Sequence, residues 1–231
     1  MEHCGQLLAV CVVHTERDSG VPRTPRTAID KRPLEGPVPV TDSGVGADYV
    51  CDVAHHGGTY KAVYAYSDEE SRRWADELGR ELPIGWFGEN LHVRGIPTSD
   101  AVIGERWRIG DVELEVTSPR TPCATFANWA GEPQWVKRFT ARGDTGVYLR
   151  VIHPGTISAG DTITRAHIPE HGVTVREVFS GTTVERLNLL VDATRPGTGS
   201  ELAPSTARNI EKYLKRAGQV PPPHVLDQAA R

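Results

Sequence analysis

The sequence predicts a mainly β protein with added helices (α+β), in which a β-barrel or curled sheet precedes a small three-helix appendage. Three observations predict it. The chain has 23 glycines and 17 prolines in 231 residues, above the roughly 12% of an average protein, and such punctuation favours short strands over a helix bundle. Short segments between glycine turns alternate apolar and polar residues, as half-buried strands do. Beyond Pro169 the pattern changes to helix-start signals. The division therefore falls at 1–168 for the barrel and 169–231 for the appendage.

Residues 6–14 (QLLAVCVVH) are apolar and β-branched enough for a strand. Residues 18–39 are rich in Pro, Gly, Arg and Thr without a helical period, so a long irregular loop is expected. Residues 41–46 carry a turn signal. Ser67 with Glu70 three residues on is a capping box, so a helix starts there. Trp74 and Leu78 share a face of it, and Gly79 or Pro83 ends it. Residues 113–116, 147–152 and 162–166 read as further strands. Thr174 with Glu177, and Thr182 with Glu185, are two more capping boxes. Residues 206–217, with Ile210 and Leu214 four apart, give the third helix of the appendage.

Lys plus Arg number 26 and Asp plus Glu 30, for a formal net charge of -4. A coat for nucleic acid or anionic lipid needs a positive field, so neither a nucleic-acid partner nor a membrane is expected. No apolar run approaches the ~20 residues that span a bilayer. Met1-Glu2-His3 lacks the basic start of a secretory leader. The cysteines Cys4, Cys11, Cys51 and Cys123 show no CxxC spacing, which argues against a zinc ribbon or an all-cysteine iron–sulfur site. Reduced thiols and a cytoplasmic location are expected. Phosphate-loop, GxSxG, HExxH and GxGxxG motifs are absent from the sequence.

Three clusters hold more chemistry than packing requires. The first runs from Asp48 and Asp52 through His55-His56-Gly57-Gly58 to Lys61. Its glycines let backbone approach a ligand and present amide hydrogens to an anion, with Lys61 adding charge; a plain turn is the competing reading. On a strand, His55 and His56 would face opposite sides, which argues against a shared metal. The second cluster is Gly85-Trp86-Phe87-Gly88-Glu89-Asn90-Leu91, where Glu89 and Asn90 lie between apolar neighbours. Their polar ends then need partners, which a ligand rich in donors and acceptors would supply. The third is Ser118-Pro119-Arg120-Thr121-Pro122-Cys123, closing a strand with two prolines. Arg120 near Cys123 favours thiolate, both nucleophile and soft metal ligand, against the competing reading of a buried structural cysteine. Cys4, Cys11 and Cys51 read as structural.

Taken in chain order, TAIDKRPLEGPV, Asp48 and Asp52, HHGGTYKAVYAY, GWFGENLHV, VIGERWRIGDVELEVTSPRTPC and GVYLRVIHPGTISAGD resemble the MOSC family, named after the C-terminal part of molybdenum cofactor sulfurase. The stretch from GVTVREVF is similar to the three-helix appendage of the YiiM-like branch. The likeness covers nearly the whole chain; FGEN alone is weak, and the ordered set ending in PRTPC is specific. It implies a MOSC-type β-barrel with peripheral helices that binds a pyranopterin molybdenum cofactor, with Cys123 as the molybdenum ligand. Arg120, Gly57, Gly58 and Lys61 would hold its phosphate, Asn90 and Glu89 its pterin edge, with Asp48 and Asp52 in the same cofactor-binding set. His56 is the candidate proton donor, because histidine titrates near neutral pH. The implied activity is reduction of N-hydroxylated substrates such as hydroxylaminopurine or amidoxime-like compounds. Electrons would come from a separate donor protein, since the chain has no flavin or iron–sulfur motif of its own. The C-terminal helices offer a surface for that donor or for a homodimer. Two alternatives stay open: a sulfur carrier or transferase working through a Cys123 persulfide, and a non-catalytic cofactor-binding module. One departure stands out. The family carries a glycine before its first aspartate where this chain has Ala47, so Gly46 would have to take over any positive-φ role.

Overall fold

The computed structural model describes residues 4–198 and 200–231; residues 1–3, read above against a leader, lie outside them. The first apolar run extends further than its core of β-branched residues, as β1 (Cys4–Asp18). Its start pairs antiparallel with β11 (Thr162–His167), its middle with β6 (Leu91–Arg94) and its second half with β2 (Arg26–Pro33). The remaining barrel strands are β5 (Val63–Ser67), β7 (Arg106–Ile109), β8 (Val112–Pro119) and β9 (Val147–His153). Hydrogen-bonded order runs β1-β6-β5-β9-β8-β7-β11 and back to β1, so seven strands close into a barrel and its edges disappear. The β5–β6 pair is parallel and the others are antiparallel. Beside the barrel, β3 (Val38–Thr41), β4 (Gly44–Val45) and β10 (Gly155–Ile157) form a small second sheet.

The irregular loop expected over residues 18–39 is corrected by β2. Pairing with β1 buries Ala28, Ile29, Asp30 and Lys31, and that partner outweighs local composition. Register shifts at Val13/Thr15 and Thr15/Arg17 let this outer ribbon bend away from the barrel.

Strand β5 shows why there are two cores. All five residues are buried, but Val63 and Ala65 join an aliphatic cluster while Tyr64 and Tyr66 join an aromatic one. Strand β9 repeats the division, with Val147 and Leu149 against Tyr148. Successive strand side chains point to opposite faces, so a fully buried strand must serve a core on each. The aliphatic core also takes in Val178, Ile210 and Leu214 from the C-terminal helices, so barrel and helices share it.

The aromatic core is closed by α2 (Asp68–Leu78), α3 (Ala124–Ala130) and α4 (Trp135–Arg142). Ser67 caps α2 as expected, accepting from the Glu70 amide at 3.1 Å, and Gly79 ends it at φ 63°. The reciprocal arm of the capping box is missing, because the Glu70 carboxylate turns instead to Thr98 Oγ1 at 2.8 Å and the Ser99 amide at 2.9 Å.

Past Pro169 the described residues form four helices where three were expected: α5 (Val175–Ser180), α6 (Val184–Ala193), α7 (Pro204–Arg216) and α8 (Pro223–Ala230). The Thr174–Glu177 capping box is complete. The second shifts by one residue: Thr183 caps α6 through the Arg186 amide, while Thr182 donates to Glu177 at 3.1 Å. Helix α7 is tied to the barrel where Thr206 Oγ1 donates to the Thr117 carbonyl at 2.8 Å. No helix among the described residues is long and apolar enough to cross a membrane.

Candidate functional site

Strand β8 is buried along its whole length and ends at Pro119. Arg120 and Cys123 follow, and Cys123 occupies the N-cap of α3 in extended conformation. Packing of α3 against the aromatic core fixes this turn, with Phe126 wholly buried and Cys123 against the same cluster. Cys123 lines a cavity of about 330 Å³ together with Asp48, Asp52, His56, Gly57, Gly58, Lys61, Asn90 and Arg120. Nine of the ten residues singled out in the sequence thus meet on one cavity.

Glu89 is the exception and a correction. It does not line the cavity and is 0% exposed. Its Oε1 accepts from the Gly85 amide at 2.7 Å and from His92 Nδ1 at 2.9 Å, so it braces the loop that carries Asn90. Asn90 reaches the cavity wall, but its amide is spent inside the protein. Oδ1 accepts from the Tyr64 amide at 3.1 Å, and Nδ2 donates to the Cys11 carbonyl at 3.2 Å and to Asp48 at 2.8 Å. Asp48 also takes the Val13 amide at 2.8 Å and pairs with buried Lys31 at 2.5 Å. These links make a rigid, charge-balanced wall.

Arg120 is different. It is 5% exposed and donates to the Phe87 carbonyl at 2.5 Å. Its guanidinium carbon lies 3.9 Å from the Phe126 ring centre and 5.3 Å from that of Tyr64. Burial opposes its charge, and the groups that offset burial are Tyr64, Tyr148 and Cys123 rather than any carboxylate.

His55 and His56 lie on a single helical turn, α1 (Val53–His56), not on the strand the sequence suggested. Asp52 caps that turn and binds His55 Nδ1 at 2.9 Å, which leaves His55 outside. His56 turns into the cavity, with Nδ1 3.2 Å from the Tyr148 hydroxyl. Burial, then the positive charges of Arg120 and Lys61, push its pKa down to about 4. The expectation that it titrates near neutrality is therefore corrected: within this fold it is neutral at pH 7. Lys61 Nζ donates to the His55 carbonyl at 2.5 Å and stands 5.5 Å from the Tyr148 ring centre. Burial, then Arg208, lowers its pKa as well.

Gly46 carries the left-handed conformation, at φ 55°, and Ala47 does not, so Gly46 takes the positive-φ role as the sequence reading required. The sequence reading missed Lys31, Tyr64 and Tyr148 as cavity residues and set Cys51 aside as structural, although it lines the same cavity. A signal existed for the tyrosines: polar-tipped rings alternate with aliphatic residues in two fully buried strand segments.

A MOSC domain profile matches residues 52–164. Protein YflK of Bacillus subtilis (strain 168), described as uncharacterized, is 33% identical over 150 residues, which are 65% of this chain and 68% of that protein. The chain belongs to the MOSC domain family. Protein YiiM of Escherichia coli (strain K12) is 28% identical to this MOSC protein over 150 residues, 64% of this chain and 67% of the relative. A protein named "Reductase" from Gibberella moniliformis is 33% identical over 176 residues, 73% of this chain but 31% of that longer protein. The crystal structure of YiiM from Geobacillus stearothermophilus superposes with a TM-score of 0.72 at 22% identity, covering 91% of this chain and 99% of that one. The MOSC protein and YiiM therefore share a fold.

Proposed function

We propose that this MOSC protein binds a pyranopterin molybdenum cofactor in the cavity and there reduces N-hydroxylated compounds, with Cys123 as the molybdenum ligand. The observation that carries the reading is Arg120, a buried guanidinium on a cavity wall, three residues from the cavity thiol and without a carboxylate partner among the described residues. A ligand anion such as the cofactor's phosphate would supply the missing charge. Gly58, at φ 93°, has open space where a side chain would stand, so backbone there is accessible to a ligand. Lys61 adds a second cation, and the cavity falls within the roughly 300–1,000 Å³ of small-molecule sites.

The donor set fits the same group. Among the described residues no three His, Cys, Asp or Glu side chains gather to hold a metal. A metal here would take one protein thiolate, Cys123, and its other ligands from the cofactor, a combination suited to a soft site. When bound, the cofactor would supply the two-electron redox chemistry. Reducing N–OH to N–H consumes two electrons and two protons and releases water. The chain's part is to hold the anion with Arg120 and Lys61, to fix the wall through Lys31, Asp48 and Asn90, and to present His56 to a ligand oxygen. Electrons would come from a separate donor protein. The name of the Gibberella relative supports the reductase class, and the resemblance to the YiiM-like branch supports N-hydroxylated bases as substrates.

Protein from a cofactor-producing host should carry near-stoichiometric molybdenum and pterin, and Cys123→Ala should lose nearly all of the metal. Metal-free, pterin-free protein with a sulfur adduct on Cys123 would replace this reading with persulfide chemistry. Bound pterin without turnover of any N-hydroxylated substrate would reduce it to a binding module.

A further inference from the structure

We propose that Tyr148 is a positioning residue: it locks His56 into the tautomer protonated on Nε2, so that the imidazole meets a ligand in the cavity as a neutral hydrogen-bond donor. The inference rests on the reading of this cavity as a ligand site, but not on which metal or reaction it serves.

The Tyr148 hydroxyl, on β9, and His56 Nδ1, on α1, are 3.2 Å apart across 92 residues of sequence. A hydroxyl and a ring nitrogen can share a hydrogen bond in either direction. The surroundings choose the direction. The Arg120 guanidinium, which can only donate, holds its positive charge near the Tyr148 oxygen. If His56 Nδ1 carried a proton, the phenolic oxygen would have to accept it beside that positive charge, while its own proton lacked an acceptor among the described residues. A buried donor left without a partner keeps the full cost of its desolvation. With Nδ1 unprotonated, the Tyr148 hydroxyl donates to it and the buried phenolic proton has its acceptor.

The second proton then sits on Nε2. That nitrogen has no protein partner among the described residues, and the ring lines the cavity. Full protonation is opposed by the charges facing the ring. Arg120 follows β8, Lys61 belongs to the turn after α1, and His55 shares α1; only Asp52, at the cap, acts the other way. His56 therefore contributes directed polarity rather than charge. Its natural acceptor is an oxygen, whether of an oxo group, a phosphate or an N-hydroxyl.

The test uses the full chain with 15N-labelled histidine, expressed without cofactor synthesis and studied by proton–nitrogen correlation at about pH 7.5, where a histidine with a depressed pKa is neutral. The chain has 9 histidines, and the signals absent in His56→Gln assign the ring. Wild type should show one pyrrole-type nitrogen at Nε2 and one pyridine-type nitrogen at Nδ1. Tyr148→Phe keeps the ring that packs 5.1 Å from Tyr64, and should collapse the separation between the two shifts as the tautomers mix. A wild-type proton on Nδ1, or a Tyr148→Phe spectrum identical to wild type, would overturn the proposal. If the variant does not fold, the wild-type tautomer alone decides. Because the protein is cofactor-free, the outcome is separate from the molybdenum measurement, and either can fail without the other.

Discussion

Arg165 and Arg120 are both arginines set into this protein, and their partners could hardly differ more. Arg165, on β11, grips both oxygens of wholly buried Glu105, at 2.5 and 2.6 Å. The same carboxylate takes Trp107 Nε1 at 2.7 Å and the Val102 amide at 3.1 Å, so the charge is closed on itself. Arg120, beyond β8, has a carbonyl and two aromatic faces but, among the described residues, no carboxylate. One site is complete without a ligand and ties the barrel together between β7 and β11. The other holds an unbalanced charge at a cavity, where balance would arrive from outside. The difference separates a structural ion pair from a candidate binding site without appeal to any relative.

Removing one partner of each gives the largest expected contrast. Glu105→Gln leaves Arg165 uncompensated and should lower unfolding free energy by about 3–5 kcal/mol, as breaking buried pairs does. Arg120→Met gives up cation–π contacts but also removes an unbalanced buried charge, so its effect should stay under about 2 kcal/mol. Denaturant unfolding of both variants checks this. Equal losses would mean that Arg120 is as structural as Arg165.

Acid should separate the two kinds of site next. His56, at the cavity, has its pKa pushed down to about 4 from 6.5. The unfolded chain therefore binds a proton that the folded chain refuses, so stability is full above about pH 6.5 and falls as pH drops toward 4. The loss is on the order of 1–3 kcal/mol, and His56→Gln should remove it. Glu177, held down to about 2 by Arg186, is a closed pair. Its stabilisation is present above the unfolded value of 4.5 and is lost only as pH falls from there toward 2. Stability measured from pH 7 downward should thus decline first through the cavity and later through the pair. A wild-type curve flat to pH 5 would contradict that order.

The same contrast explains what could be read from the sequence. Closed, local features were legible: the Ser67 cap, the Thr174–Glu177 box, and strands with clear alternation. The cavity motifs were legible as words, and nine of the ten residues they contain line one cavity. Lys31, Tyr64 and Tyr148 were not, because their place in the site depends on which strands lie side by side. Strand β2 was hidden for a related reason, since its partner β1, not its own composition, makes it a strand. Helix α4 carried a signal of its own in Trp135 and Phe139, which stand four apart on one face. Helix α8 opens with prolines at Pro222 and Pro223, which read as punctuation and serve here as a helix start.

The smallest expected effect concerns the loop that aims Asp48 at Lys31. Gly46 holds φ 55°, and a methyl group there would also meet Val38 Cγ1 at 3.0 Å. Gly46→Ala should therefore cost about 1–2 kcal/mol for the left-handed backbone. Its neighbour needs no such freedom, so Ala47→Gly should cost only the added flexibility of the unfolded chain, about 0.4–1 kcal/mol. Thermal unfolding of the pair distinguishes them. The reverse ranking would place the strained turn at residue 47 after all, and the Asp48 carboxylate would then owe its position to a different loop geometry. The predicted ranking would instead show that the left-handed turn leading to the Asp48 carboxylate sits at Gly46.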